Sequence, residues 1–260
     1  MTKTLLVGCG NMGRALLDGW LAGGALAPAE VTVADPLAPA PEGVALVRTI
    51  PAAGAFELVV LAVKPQAFAA LAPRLAAVSD EALVLSILAG VESEELAAAL
   101  PGARVARIMA NLAAAFGMSP VALFAGPRVS DADHALLDRL GQALGPVEWL
   151  ADEALLHAVT ALAGSGPGFV YRLLEAFGQG GAGLGLEPRA AAAMALATVR
   201  GAAELAARSG EDFATLAGRV ASPGGTTRAG LDVLDAEVDA LLARTLQAAC
   251  DRSEELSRNA

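Results

Sequence analysis

The sequence predicts an α/β fold: a doubly wound parallel sheet in the first part of the chain, followed by an all-helical part. Three observations carry that expectation. Short apolar, β-branched runs alternate with alanine-rich helical stretches up to about residue 150, the pattern of strands joined by crossover helices. The strand signals then stop, and only helical periodicity continues. Between the first run and the first helix stands Gly8-Cys9-Gly10-Asn11-Met12-Gly13. Gly8 permits a tight turn there, Gly10 lets the backbone approach a pyrophosphate, and Gly13 allows close helix–strand packing. In that strand–turn–helix setting the motif makes the sheet one of Rossmann type. A chain of 260 residues has room for two domains, 1–150 binding a dinucleotide and 151–260 all helical.

In chain order, Thr4 to Val7 form the first strand and residues 12–21 the first helix, whose free N–H groups and positive dipole end suit phosphates. Residues 31–34, 58–63, 83–87 and 105–108 are further strand candidates, with helices at 68–78 and 93–100 among them. Asp35 ends the second strand and Pro36 follows it. A carboxylate about 20 residues past the glycine loop accepts hydrogen bonds from an adenosine ribose 2′-OH and repels a 2′-phosphate, which leans toward NADH. A solvated turn aspartate before proline has the same local sequence. Ala62-Val63-Lys64-Pro65-Gln66 closes the fourth strand, on the sheet edge where such folds bind ligands. Lys64 is one of only two lysines, and its placement points to the cofactor side. Ser86-Ile87-Leu88-Ala89-Gly90 occupies the same edge one strand later.

Beyond residue 150, Asp152 is a candidate N-cap for a helix with Leu155, Val159 and Leu162 on one face. Residues 164–168, rich in glycine, interrupt it, and helix resumes at Phe169. Pro188 opens the next helix and Gly210 closes it. The last helix carries Leu231, Leu234, Val238, Leu241, Leu242 and Leu246 on one side. Gly181 and Gly185, at GxxxG spacing, suit either close helix contacts within one chain or packing between two subunits. Before this last helix lies Ser222-Pro223-Gly224-Gly225-Thr226-Thr227. Residue types alone read it as an N-cap with proline near the first turn. The glycine pair and threonines exceed what a cap needs and make an anion nest suited to a carboxylate.

Composition narrows the function. Net charge is −10, which argues against nucleic acid as a partner. Mean hydropathy is +0.53, but the longest charge-free run, 108–127, holds Asn111, Gly117, Ser119 and Pro120 and reads as a buried loop rather than a membrane span. No signal peptide precedes the first strand, so a cytosolic protein is expected. Cys9, Cys250, His134 and His157 have no zinc spacing, and no metal is expected.

Four stretches together resemble the pyrroline-5-carboxylate reductase family: the glycine loop, Leu61-Ala62-Val63-Lys64-Pro65-Gln66, residues 158–167 (AVTALAGSGP) and Val220-Ala221-Ser222-Pro223-Gly224-Gly225-Thr226-Thr227. They span nearly the whole chain in the family's order. The resemblance implies hydride transfer from NADH or NADPH to a cyclic imine acid, giving proline as the last step of its synthesis. It implies that Thr227 bonds the ring nitrogen and that backbone around Ser222, Gly224, Gly225 and Thr226 holds the carboxylate. Glu153 matches an acidic position of the substrate site. Gly8, Cys9, Gly10, Asn11, Met12, Gly13, Ala62, Val63, Lys64, Pro65, Leu88, Ala89 and Gly90 match cofactor contacts, joined by Asp35 and Pro36. A helix-swapped homodimer, assembling further, is implied too. The chain departs from the family at Met109-Ala110-Asn111-Leu112-Ala113, where Met-Pro-Asn-Thr-Pro is usual, and at Asp35-Pro36, where many relatives suit a 2′-phosphate. Cofactor choice therefore stays open between NADH and NADPH.

In the reaction the resemblance implies, the imine nitrogen can enter protonated, so the protein needs positioning groups rather than a strong acid. A β-hydroxyacid dehydrogenase needs a general base, and no lysine follows Lys64. A non-catalytic cofactor-binding relative is the other alternative, favoured by the altered 109–113 loop and opposed by the intact 222–227 turn. A serine hydrolase at Ser165 lacks the glycines of a nucleophile elbow, since Ala163 and Pro167 stand in their places.

Overall fold

The computed structural model describes residues 2–258. Eight strands among them form one sheet: β1 (Thr4–Val7), β2 (Val31–Ala34), β3 (Ala45–Val47), β4 (Leu58–Leu61), β5 (Leu83–Ser86), β6 (Arg104–Met109), β7 (Val121–Ala125) and β8 (Val147–Trp149). Their order is β3-β2-β1-β4-β5-β6-β7-β8. Every neighbouring pair is parallel except β6 with β7. The chain winds outward from β1 through β2 and β3, then returns to β4 on β1's other side. The direction of winding thus reverses between β1 and β4, and a crevice opens beyond their C-terminal ends.

The core explains why β1, β4 and β5 read as unbroken apolar runs: all twelve of their residues are buried, as central parallel strands covered on both faces must be. Alternate residues serve opposite faces. Leu6, Val60 and Leu85 join Leu16, Leu17 and Trp20 of α1 (Asn11–Ala22). Leu5, Val59 and Val84 join Phe68 and Leu75 of α2 (Phe68–Ser79) and Leu96 of α3 (Ser93–Ala99). Each such leucine contributes roughly 1.5–3 kcal/mol by leaving water. The Trp20 indole N–H donates to the Leu140 carbonyl of α4 (Asp131–Leu144) at 3.0 Å, so its burial leaves no orphan donor.

Two compact units emerge among the described residues, one of residues 2–164 and 249–258, the other Ser165–Ala248. In the first, α5 (Leu155–Val159) passes into a π turn at Thr160–Gly164. The second is built on a helical hairpin of α6 (Gly166–Gly183) and α7 (Pro188–Ser209). A Cβ at Gly178 would stand 3.3 Å from the Ala192 Cα, and one at Gly181 3.3 Å from the Ala191 Cβ. Glycine is what lets these helices approach. Gly181 therefore serves a contact within the chain, whereas Gly185, at φ +99°, lies past the helix in the turn. Then come α8 (Phe213–Val220), α9 (Thr226–Asp235) and α10 (Val238–Arg258). Among the described residues α7 alone is long and apolar enough to cross a bilayer by length and composition.

The structure corrects several expectations. The sheet is not wholly parallel, because β7 runs against β6. The 108–127 run is not a loop: it holds a 3-10 turn, Leu112–Phe116, and β7. Asp152 does not cap α5; its carboxylate accepts the Ala154 N–H at 2.9 Å, in a turn ahead of the helix, and Ala154 takes the N-cap position. Helix resumes at Gly166 rather than Phe169, since Pro167 needs no N–H partner in a first turn. The single last helix is two, broken at Ala236 and Glu237, so Leu231 and Leu234 sit on α9 and the other four on α10.

Candidate active site

The first unit's site begins where β1 ends. Gly8 adopts φ +92°, and a Cβ there would lie 2.5 Å from the Ala62 carbonyl oxygen, so only glycine closes this turn against the end of β4. Gly13 sits one turn into α1, where a Cβ would lie 2.3 Å from the Gly8 carbonyl oxygen. Gly10 differs. It is the N-cap of α1, at φ −70° and ψ −167°, with no side chain capping the helix, and a Cβ there would meet nothing within 4 Å. Gly10, Asn11 and Met12 thus present uncapped helix N–H groups to open space, a cradle fitted to a pyrophosphate.

Asp35 reaches back to this loop. One carboxylate oxygen accepts the Cys9 N–H at 2.7 Å; the other accepts Leu37 N–H at 2.8 Å and Ala38 N–H at 2.7 Å, around Pro36. Burial pushes its pKa up, but those three N–H groups and the nearby Arg48 charge outweigh it and hold the carboxyl below the usual range. Burial raises the Cys9 thiol, which stays protonated at neutral pH. Across the crevice the Ala62 N–H donates to Val7 at 2.8 Å, Val63 lines the Asp35 side, and exposed Lys64 precedes a 3-10 turn opened by Pro65.

One strand further, Leu88 is buried, Ala89 exposed, and Gly90 adopts φ +84°. The Gly90 carbonyl accepts from Ser257 Oγ at 3.1 Å, so the last turns of α10 brace this loop. Arg107 of β6 braces it from beneath, donating to the Leu88 carbonyl at 3.2 Å and to Glu153 at 2.7 Å. Glu153 also accepts the Ser93 N–H at 2.7 Å and the Ser93 hydroxyl. Its carboxylate is thus held by three donors from two elements of the first unit, β6 and α3. His157 Nδ1 lies 2.9 Å from Ser253 Oγ.

The altered loop is held by hydrogen bonds through Asn111. Asn111 Oδ1 accepts the Ala113 N–H at 2.9 Å, its amide donates to Ala163 at 2.9 Å, and its N–H donates to Ser119 Oγ at 2.9 Å. A proline at position 113 has no such N–H, so the 3-10 turn here uses the departure from the family pattern.

In the second unit, the 222–227 segment is not a side-chain cap. Gly225 is the N-cap of α9, Pro223 lies outside the helix, and the Gly225 N–H donates to Ser222 at 2.9 Å. Gly224 takes φ +71° to make that turn. Thr226 and Thr227 open the helix, both exposed, with first-turn N–H groups free for an anion.

The structure therefore brings the glycine loop, Asp35, Pro36 and Ala62 to Lys64 together on one edge, with Leu88 to Gly90 in the loop that follows β5. Sequence reasoning missed Arg48, Arg74, Ser93 and Arg107 as members of the site. Only Arg107 left a signal, a cation inside an apolar strand.

Comparison with known proteins gives two matching family models: pyrroline-5-carboxylate reductase dimerisation over residues 153–256, and NADP oxidoreductase coenzyme F420-dependent over residues 3–90. A pyrroline-5-carboxylate reductase of Pseudomonas aeruginosa is 37% identical, over 98% of this chain and 97% of its own. A solved pyrroline-5-carboxylate reductase of Coxiella burnetii superposes with a TM-score of 0.89 at 27% identity, covering 98% of each chain. A Plasmodium falciparum pyrroline carboxylate reductase solved with NADP bound shares the fold, with a TM-score of 0.83 at 21% identity over 98% of each chain.

Proposed function

Because the chain belongs to the pyrroline-5-carboxylate reductase family, we propose parts for its own residues in one reaction, the reduction of 1-pyrroline-5-carboxylate to proline. The enzyme is an NAD(P)H-dependent oxidoreductase acting on a C=N bond. The Gly8–Gly13 loop would hold the dinucleotide, which when bound would supply a hydride to the imine carbon, the C=N electron pair moving onto a nitrogen that already carries its proton. The protein's part is placement. Uncapped N–H groups of α1 at Gly10, Asn11 and Met12 hold the pyrophosphate, and Gly8 and Gly13 let the backbone close beneath it. Lys64, with Ala62, Val63 and Pro65, and the braced Leu88-Ala89-Gly90 loop line the cofactor's path along the sheet edge. The Ser222–Thr227 turn holds the substrate carboxylate on first-turn N–H groups of α9, and the Thr227 hydroxyl orients the ring nitrogen. Glu153, fixed by Arg107 and Ser93, is assigned to the substrate as an acidic partner on the strength of its match to the family's acidic position.

The observation that carries this reading is the α9 start: a positive-φ glycine and an uncapped first turn that opens on two exposed threonines. Adding pyrroline-5-carboxylate to the purified protein is expected to drive oxidation of NADH and, less well, of NADPH. Thr227→Val is expected to lower kcat about tenfold, the loss of one orienting hydrogen bond in the transition state. No turnover with either cofactor overturns the reading; full activity in Thr227→Val removes that residue from it.

Asp35 favours NADH by keeping a negative charge at the end of β2, although its oxygens are held by the Cys9, Leu37 and Ala38 N–H groups. Asp35→Ala is expected to lower the NADH-to-NADPH ratio of kcat/KM by about five- to tenfold, the order of 1 kcal/mol. The ratio is the useful readout, because Asp35 also holds the Cys9 N–H and its loss loosens the loop for both cofactors alike. An unchanged ratio excludes Asp35 from cofactor choice.

The working form is a cytosolic homo-oligomer built through the helical part. Exposed apolar side chains on α6 and α7, among them Tyr171, Phe177, Met194 and Leu205, support a second copy covering them.

A further inference from the structure

Arginines absent from the sequence around Asp35 arrive beside it in space. A recess of about 170 Å³ opens next to the glycine loop, lined by Gly8, Asp35, Pro36, Arg48, Val63 and Arg74 among others. Arg48 follows β3 and Arg74 rides on α2, so the two cations approach from different elements. Arg48 is fixed: its Nη1 donates to the Ala38 carbonyl at 2.8 Å and to that of Asp35 at 3.3 Å, leaving the other edge of the guanidinium unused. Arg74 makes no hydrogen bond or ion pair among the described residues, and it also lines a second recess sharing Thr49 and Ile50 with the first. Asp35, the one anion here, already accepts three backbone N–H groups.

We infer that Arg48 and Arg74 form a binding site for the 2′-phosphate of NADPH, offsetting Asp35 and giving the enzyme access to both cofactors. Two cations face one carboxylate whose oxygens are drawn back into the loop. An added phosphate of about −1.5 to −2 charge then meets net attraction at the ribose edge. Guanidinium groups suit that ligand, since their planar donor fork matches phosphate oxygens two at a time.

The inference rests on the dinucleotide lying along the glycine loop, and binding without turnover tests it separately. Titration calorimetry compares adenosine 2′,5′-bisphosphate with adenosine 5′-monophosphate, which lacks only the 2′-phosphate. Arg74→Ala, which breaks no bond in the protein, is expected to weaken the bisphosphate at least tenfold and the monophosphate less than threefold. Arg48→Gln, which keeps a donor for the Ala38 carbonyl, is expected to give the same contrast. Equal weakening of both nucleotides in both variants overturns the site, as does no change in either. If the contrast holds while pyrroline-5-carboxylate is not reduced, the site stands and the assigned reaction falls; loss of the contrast with turnover intact sinks only the site.

Discussion

Gly10→Ala is expected to leave the protein folded while lowering its affinity for NADH at least a hundredfold. The expectation comes from an asymmetry among three glycines of one loop. At Gly8 and Gly13 a methyl would run into the protein's own backbone, 2.5 Å from the Ala62 oxygen and 2.3 Å from the Gly8 oxygen. At Gly10 it would meet nothing within 4 Å, and φ of −70° suits alanine as well as glycine. The fold gives no reason for glycine there beyond a cap preference worth at most about 1 kcal/mol, or a melting shift of roughly 2–4 °C. The open space belongs to a ligand. A methyl projecting into it excludes the pyrophosphate from the α1 N–H groups, and a hundredfold loss corresponds to about 2.8 kcal/mol. Gly13→Ala supplies the contrast, expected to lower both affinity and melting temperature because the helix must move off β1. Fluorescence titration of NADH with a thermal melt on each variant reads both effects. NADH affinity within twofold of the parent in Gly10→Ala would falsify the cradle.

How much of this was legible in the sequence follows from where each feature's cause lies. β1 and β2 match their expected limits residue for residue, because both are short β-branched, mainly apolar runs that a glycine or an Asp-Pro step ends. α7 also matches, with Pro188 fixing its first turn and Gly210, at φ +69°, closing it. β3 escaped because a three-residue edge strand with an exposed end needs no apolar run, and β8 because Glu148 and Trp149 break its pattern. β7 hid inside a run where proline and glycine spoke for a loop. The glycine loop, Asp35 and the 222–227 turn were visible because local backbone demands dictate their residue types. Arg48, Arg74 and Ser93 were not, and Arg107 showed only as a cation inside an apolar strand. Their roles come from strands and helices that meet only after folding, and an arginine well along the chain from Asp35 carries no mark of where it will end.

Arg107→Met is expected to destabilise the enzyme by about 3 kcal/mol, lowering its melting temperature by roughly 6–12 °C. The arginine side chain is 9% exposed and that of Glu153 20%, so solvent screens their 2.7 Å contact little. Methionine fills the arginine's volume in β6 but leaves the Glu153 carboxylate with Ser93 alone, and it frees the Leu88 carbonyl. The cost is that of an uncompensated charge rather than of a lost attraction, which a double-mutant cycle separates. Glu153→Gln in the Arg107→Met background removes the stranded charge, so the double variant should recover at least about 1 kcal/mol relative to the sum of the singles. Strict additivity would mean that the two side chains act independently and that the bridge between β6, α3 and the approach to α5 stabilises nothing. Activity divides the two jobs of Glu153. If it only braces, the KM for pyrroline-5-carboxylate in Glu153→Gln tracks that of Arg107→Met at matched stability. If it also faces the substrate, as proposed, that KM rises further in Glu153→Gln than in Arg107→Met, while the affinity for NADH shifts alike in both.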